Sequence, residues 1–279
     1  MVALHGVNNA EVLEKALNQD ASLAVLRQAQ KDGRIGHIGF STHGPTDVII
    51  KAIESDFFDY VNLHWYYMDQ MNLSAINAAA RRDMGVFIIS PSDKGGKLYE
   101  PPKKLVELCD PFSPMAFNDL FCLANRNVHT LSVGAAKPED FDAHLEALPW
   151  VKDGAKAVAP VVERLNRELA DILGLDWATQ WASGIPDWTD VPGHVNVYHT
   201  LRLYTVWKAF DMLEYGRMRY NLLGNGGHWF PGEKVSAADW NAFEKTIADS
   251  PFADVIPAFL RDAHAAFNKE DGKRLSESG

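Results

Sequence analysis

"MVALHGVNNAEVLEKAL", residues 1–17, contains the pattern from which the fold is predicted. Residues 2–4 form a short apolar run, which the turn residues Asn8 and Asn9 bring to an end. A short apolar run of this kind is typical of a strand in a parallel sheet. Asn9 is suited to cap a helix that starts around Ala10. The chain therefore opens on a predicted strand–helix unit.

The same unit recurs along the first half of the chain at intervals of about thirty residues. Regular alternation of strand and helix predicts a parallel sheet with crossover helices, which is an α/β fold. The further predicted strands are 35–41, 57–67, 86–93 and 128–136.

Helices are predicted after each strand. The first carries Leu13, Leu17, Leu23 and Leu26 on one apolar side, and Gly33 follows its end. Residues 94–109 are predicted to form a long loop. The other helices are predicted over 45–56, 73–85, 113–125 and 137–148.

The pattern changes near residue 150 and becomes helical. Five apolar residues at three- and four-residue spacing predict one long amphipathic helix: Val158, Val162, Leu165, Leu169 and Ile172. Ser236 is predicted to cap a later helix, and 255–267 is predicted as the last one. We therefore expect two domains, residues 1–150 and 151–279.

Composition excludes several classes of function. The net charge is -10, which argues against nucleic acid or an anionic membrane surface as a partner. No stretch approaches the roughly 20 apolar residues of a membrane helix. Cys109 and Cys122 cannot build a disulfide framework and lack metal-ligand spacing, so we expect a reduced, cytoplasmic protein without a metal site.

Five segments in order resemble the aldo/keto reductase family, in its branch of predicted oxidoreductases with a C-terminal helical region. They are "LHGVNN" (4–9), "GRIGHIGFSTHG" (33–44), "VNLHWYY" (61–67), "GVFIISPSDKGGKL" (85–98) and "LSVGAAKPEDFDAHL" (131–145). The resemblance implies a (β/α)8 TIM barrel that transfers a hydride from NADP or NAD to a small carbonyl substrate.

The first strand of this chain resembles the fourth strand of that barrel. The expected fold is therefore a partial (β/α)8 barrel of strands four to eight, followed by an α-helical C-terminal region. An open sheet exposes two edges and an apolar patch. The C-terminal helices could cover it, two chains could associate as a homo-oligomer, or a complementing chain or longer gene product could supply the missing strands. We favour the last, because Met1 falls directly at a strand.

The family's catalytic Tyr, Lys and Asp lie on the strands that have no counterpart here. The resemblance carries over only His5, which would orient the substrate carbonyl. The alternative is a histidine at a strand end with no catalytic acid beside it. Tyr66 and Tyr67 are interpreted as core aromatics rather than as a replacement acid.

The resemblance implies more for the cofactor side. Ser41, Thr42 and Asn62 match residues that hold the nicotinamide carboxamide, although the family usually has Asn where Thr42 stands. Four residues match the loop that wraps the pyrophosphate: Ser90, Lys94, Gly95 and Gly96. The alternative for that loop is an ordinary flexible segment with solvated lysines.

The last strand leads into a corner that matches the family's adenosine-phosphate site. Its residues are Gly134, Ala135, Ala136 and Lys137. Asp140 stands where NADPH-specific members have a basic residue, so NADPH is not preferred over NADH. The alternative is a helix capped by its own carboxylate, without a phosphate. The connector 181–188 has no cysteine, so no iron–sulfur cluster is expected.

The leading hypothesis is an aldo/keto-reductase-type oxidoreductase whose acid group lies outside this chain. The alternative is a catalytically inactive dinucleotide-binding or regulatory module, or a truncated fragment. Binding of NADH or NADPH without turnover would favour the module.

Overall fold

Five short parallel strands form one sheet in the first part of the chain. The computed structural model describes residues 1–18, 22–135 and 137–269. The strands lie side by side in chain order, and every neighbouring pair is parallel. The predicted α/β class and parallel sheet are confirmed. The strands are β1 (Val2–Leu4), β2 (Ile38–Ser41), β3 (Tyr60–Leu63), β4 (Gly85–Ile89) and β5 (Thr130–Ser132).

Seven helices lie between or after these strands in chain order, within the described residues up to residue 145. They are α1 (Ala10–Leu17), α2 (Ser22–Lys31), α3 (Thr46–Glu54), α4 (Leu73–Arg81), α5 (Lys103–Cys109), α6 (Pro114–Ala124) and α7 (Glu139–Leu145). The single helix predicted through Leu13 and Leu26 is wrong, because α1 ends at Leu17 and α2 begins at Ser22. The loop predicted over 94–109 is wrong in its second half, where α5 forms.

Local signals in the sequence set several of these boundaries. The Asn9 side chain accepts a hydrogen bond from the Val12 backbone N–H at 2.8 Å, which confirms the predicted cap of α1. Gly33 has a φ of +72°, a left-handed conformation that glycine adopts without steric cost. The Ser113 hydroxyl accepts from the Ala116 N–H at 3.2 Å and caps α6. Side-chain caps and a glycine conformation thus set several helix ends in this part of the chain.

One face of the sheet packs beneath helices. Ile38, Phe40 and Val61 are fully buried and share a core with apolar residues of α3 and α4. Ile88 belongs to the same core, and the partly buried Leu4 and Leu131 pack against it. These strand residues therefore pack under helices.

The opposite face is partly covered by two aromatic rings. The Tyr60 ring lies so close over Gly39 that a Cβ at that position would be 2.5 Å from the ring. Tyr60 also stacks on Phe87, with 5.2 Å between the ring centroids. A glycine on one strand thus makes room for a tyrosine on the next. Burial raises the pKa of the Tyr60 hydroxyl, and the nearby Asp59 adds to this effect.

The second part of the chain is helical. Its helices are α8 (Gly154–Leu173), α9 (Leu175–Gln180), α10 (Val197–Phe210), α11 (Leu213–Tyr220), α12 (Trp240–Thr246) and α13 (Ile256–Phe267). The chain divides into two compact units, residues 1–100 with 111–160 and residues 101–110 with 161–279. The domain boundary near residue 150 stays a prediction.

Aromatic packing organises this second unit. The Trp177 ring meets Phe252 and Phe259 edge-on, with 5.0 Å between centroids in each case. Its indole N–H donates to the Thr205 hydroxyl at 3.0 Å, which satisfies the polar atom of a buried tryptophan.

The cap predicted at Ser236 is wrong. Ser236 lies within a short 3-10 turn, and the Asp239 carboxylate caps α12 by accepting from the Asn241 N–H at 3.2 Å. In the part of the chain that the structure describes, no helix is both long and apolar enough to cross a membrane.

Candidate functional site

The carboxyl edge of the sheet gathers polar side chains from neighbouring strands. His5 follows β1, and its Nδ1 atom lies 3.0 Å from the hydroxyl of Ser41 at the end of β2. Ser41 pairs in register with Asn62 of β3. Parallel strands with this register present His5, Ser41 and Asn62 at one edge, where α/β proteins usually carry their sites.

Ser41 also shapes the backbone after β1. Its carbonyl oxygen accepts from the N–H groups of Gly6 and Val7 at 3.1 and 3.0 Å. Its hydroxyl oxygen accepts weakly from the Gly6 N–H at 3.3 Å. These bonds hold the turn that presents His5, so the position of His5 depends on Ser41.

Thr42 is 1% exposed, and its hydroxyl is engaged within the protein. The hydroxyl donates to the Val7 carbonyl at 2.6 Å and accepts from the Gly44 N–H at 2.9 Å. A hydroxyl saturated in this way holds two segments together. Its role as a cofactor contact stays a prediction, and the geometry favours a structural one.

The segment after β4 is a tight turn rather than an extended loop. Ser90 has a φ of +53°, and its N–H donates to the Ser132 carbonyl at 3.2 Å. At Gly95 a Cβ would overlap the Pro91 carbonyl oxygen, so no larger residue fits there without movement. Gly96 has a φ of +145°, which also favours glycine. Close packing at Gly95 and the positive φ at Gly96 are enough to account for both glycines.

A cluster of two histidines, a tyrosine and a lysine lies beside this turn. We call it the histidine pair cluster: His43, His64, Tyr66 and Lys94. His64 Nε2 lies 2.7 Å from His43 Nδ1, and His64 Nδ1 lies 2.6 Å from the Tyr66 hydroxyl. Lys94 Nζ lies 3.5 Å from the same His43 Nδ1 atom. Lys94 is thus half-buried against a histidine.

Hydrogen-bond chemistry fixes one of the protons in this cluster. The Tyr66 hydroxyl donates to the Ile89 carbonyl oxygen, because a carbonyl only accepts. His64 Nδ1 must then carry a proton and donate to the Tyr66 oxygen. One proton lies between His64 Nε2 and His43 Nδ1. A proton held by His43 leaves His64 neutral, whereas a proton held by His64 makes it a cation.

Hydrogen bonds from buried asparagine side chains orient the two histidines. The Asn8 side-chain oxygen accepts from the His43 backbone N–H at 2.7 Å. The Asn72 amide donates to the His64 carbonyl at 2.9 Å and accepts from the Thr46 hydroxyl at 2.8 Å. Asn8 and Asn72 are both buried, so the histidines stand on a rigid support.

Sequence reasoning missed this cluster. Tyr66 is buried in the hydrophobic core, as its interpretation as a core aromatic predicted. No role is predicted from the sequence for His43 or His64. The available signal was position: His43 comes two residues after β2, and His64 comes directly after β3. In the described ranges, no group of three or more His, Cys, Asp or Glu residues could hold a metal ion.

The corner after β5 is open and exposed. A Cβ at Gly134 would meet no atom within 4 Å, and Ala135 is exposed as well. Ala136 lies outside the described residues. The Lys137 backbone N–H donates to the Asp140 carboxylate at 3.2 Å, so this carboxylate is bonded to the backbone just before α7. The choice between a phosphate site and a self-capped helix start stays a prediction.

Comparison with known proteins adds little. No protein-family model matches the chain, and no curated protein matches it either. A solved structure, the holo form of an aldo-keto reductase from Bacillus halodurans, aligns with a TM-score of 0.48 and 16% identity. The alignment covers 58% of each chain, so this chain spans little more than half of that protein. A similarity this low assigns no activity.

Proposed function

We propose that this chain is an aldo/keto-reductase-type oxidoreductase, built on part of a (β/α)8 barrel and using NADH or NADPH to reduce a small carbonyl compound. The main support is the convergence of His5, Ser41 and Asn62 at the carboxyl edge of adjacent strands. The five resembling segments lead to the expectation that these residues share one site. Their register and the 3.0 Å distance between His5 and Ser41 agree with it.

The nicotinamide end of a dinucleotide fits the residues present. Ser41 and Asn62 are both half-buried and paired in register, so two amide-binding groups stand side by side. A bound nicotinamide dinucleotide would supply the hydride. His5 is exposed beside Ser41 and would orient the substrate carbonyl. Lys94 would bring positive charge to the turn after β4.

The phosphate end favours NADH over NADPH. The 2′-phosphate of NADPH adds negative charge, and Asp140 at the start of α7 would repel it. The first turn of α7 carries Glu139 and Asp142 as well, so the local charge is strongly negative.

Carbonyl reduction also needs a proton donor. Tyr66 is 1% exposed and its hydroxyl already donates to the Ile89 carbonyl, so this hydroxyl is not placed to give its proton to a substrate. We therefore propose that a complementing chain supplies the Tyr, Lys and Asp acid group. The engaged Tyr66 also favours a second candidate, a dinucleotide-binding module that performs no reduction.

The test combines binding and turnover in the purified chain. NADH and NADPH are titrated by fluorescence, and cofactor oxidation is then followed with a panel of aldehydes and ketones. We expect NADH to bind, with loss of at least tenfold in affinity in Asn62→Ala. The matched control for substitution of His5 is His37→Ala, since His37 is an exposed histidine at the other end of β2.

The outcomes separate the candidates. Turnover that is lost in His5→Ala but kept in His37→Ala supports a reductase active by itself, and would contradict an external acid. Binding without turnover supports the module, unless a complementing chain restores the reaction. Absence of binding for both dinucleotides overturns both candidates. Tighter NADPH binding in Asp140→Asn, with Glu139→Gln as control, would confirm the role of the carboxylate.

A further inference from the structure

A serine, a histidine and an aspartate form a buried array away from the histidine pair cluster. The Ser92 hydroxyl oxygen lies 3.2 Å from His144 Nε2, and His144 Nδ1 hydrogen-bonds to the Asp119 carboxylate. We call these residues the serine triad. Serine at one ring nitrogen and aspartate at the other is the arrangement that activates a serine nucleophile.

Three separate segments build the serine triad. Ser92 lies in the turn after β4, Asp119 on α6 and His144 on α7. All three belong to the same compact unit of the chain. Ser92 is 5% exposed, Asp119 3% and His144 9%. The array is therefore shielded from bulk water, while the serine lies near the carboxyl edge of the sheet.

The hydrogen bonds set the protonation of the histidine. Asp119 as a carboxylate can only accept, so His144 Nδ1 carries the proton of that bond. A neutral His144 then has a bare Nε2 atom, and this atom faces the Ser92 hydroxyl. This tautomer allows His144 to take the serine proton as a general base.

A purely structural role leaves one feature unexplained. The second carboxylate oxygen of Asp119, Oδ1, is buried and lacks a hydrogen-bond partner within the described residues. A buried oxygen left in this state costs stability. Burial raises the pKa of Asp119, although the His144 bond opposes that shift. If the network served only packing, the charge of Asp119 would not be needed, because an uncharged Asn would fill the same space.

We propose that Ser92 is an acyl-accepting nucleophile, with His144 as its general base and Asp119 as the residue that orients His144. The geometry points to esterase-type chemistry on small acyl groups, since the shielded serine admits little bulk. This activity is separate from the proposed reduction and does not depend on a dinucleotide.

Acylation of Ser92 and hydrolysis of the acyl-serine need only the ester and water. As Ser92 Oγ bonds to the ester carbonyl carbon, its proton passes to His144 Nε2. The carbon–oxygen bond to the leaving alcohol then breaks, and that alcohol takes the proton from His144. Water reverses the sequence: it gives a proton to His144, attacks the acyl-serine and releases the acid, while Ser92 regains its proton.

The test uses the full chain with p-nitrophenyl acetate and with methanesulfonyl fluoride as a small covalent probe. We expect one sulfonyl group per chain by intact mass, mapped to the peptide that carries Ser92. Release of p-nitrophenol should fall by about 10²-fold or more in Ser92→Ala and in Asp119→Asn. Ser74→Ala, at an exposed serine, is the matched control and should behave as the unmodified chain.

Each result decides the proposal. Labelling at Ser92 of the unmodified chain supports it even if a variant fails to fold, and labelling only elsewhere overturns it. Asp119→Asn should also change the pH profile of acylation, and Asp119→Glu should restore part of the rate, which a packing role would not do. Equal hydrolysis by the unmodified chain and Ser92→Ala, with both folded by circular dichroism, overturns it as well.

Discussion

Replacement of Thr42 by Val tests whether the buried Thr42 hydroxyl stabilises the fold or contacts the cofactor. Valine keeps the shape of threonine but removes the hydroxyl, which donates to the Val7 carbonyl at 2.6 Å and accepts from the Gly44 N–H at 2.9 Å. Both partners are buried. Each buried group left without its partner costs about 1–3 kcal/mol, so Thr42→Val should lower the free energy of unfolding by about 2–6 kcal/mol.

The matched variant is Thr42→Ser, which keeps the hydroxyl and loses one methyl group. Its expected cost is about 1 kcal/mol, the value of one buried carbon. Urea unfolding followed by circular dichroism measures both, with equal m-values as the sign of a shared two-state transition. A loss in Thr42→Val within about 0.5 kcal/mol of that in Thr42→Ser would refute the structural role. A selective loss of NADH affinity would instead favour the cofactor role.

Three further predictions concern other positions. Burial holds the pKa of His199 well below its ordinary value, with Arg202 and Arg219 adding to the shift, so the unfolded chain binds a proton below about pH 6.5 that the folded chain does not. Stability should therefore fall by about 1.4 kcal/mol between pH 7.5 and 5.5, and His199→Phe should remove that part of the slope in urea titrations. Gly95→Ala should destabilise by several kcal/mol in urea, because its Cβ would overlap the Pro91 carbonyl oxygen. Asn9→Ala should cost about 1 kcal/mol in thermal unfolding through loss of the α1 cap.

Each of these has a control in the same chain. The unmodified chain, measured alongside His199→Phe, is the reference for the pH slope. Gly134→Ala, where a Cβ meets nothing within 4 Å, should be almost neutral. Asn9→Ser should retain most of the cap. An unchanged pH slope in His199→Phe, a neutral Gly95→Ala, or equal losses in Asn9→Ala and Asn9→Ser would contradict the respective arguments.

The sequence was sufficient for the order and type of most elements because their signals are local. Asn9, Gly33 and Ser113 act within a few residues of their own position, and their effects were predictable. The third strand was predicted to run to Tyr67 but ends at Leu63, since Tyr66 forms an isolated bridge with Asp69 instead.

Helix α5 was missed although it left a signal. Leu105 and Cys109 lie four residues apart and are both buried, as on one helical face. Pro102 directly precedes the first residue of the helix, where proline is tolerated.

The site residues show what a single sequence leaves out. His5 and Ser41 were predicted together because the family resemblance connects them. His43 and His64 meet only because Ser41 pairs in register with Asn62, and register is a property of the folded sheet. The serine triad likewise joins residues more than twenty positions apart in sequence, which no local pattern reveals.

The tyrosine ring above Gly39 has an evolutionary consequence. A side chain at position 39 and a ring at position 60 would occupy the same volume, so neither residue is free to change by itself. Homologues that gain bulk at the first position should have lost it at the second, and an alignment deep enough to show paired substitutions should report these two as covarying neighbours.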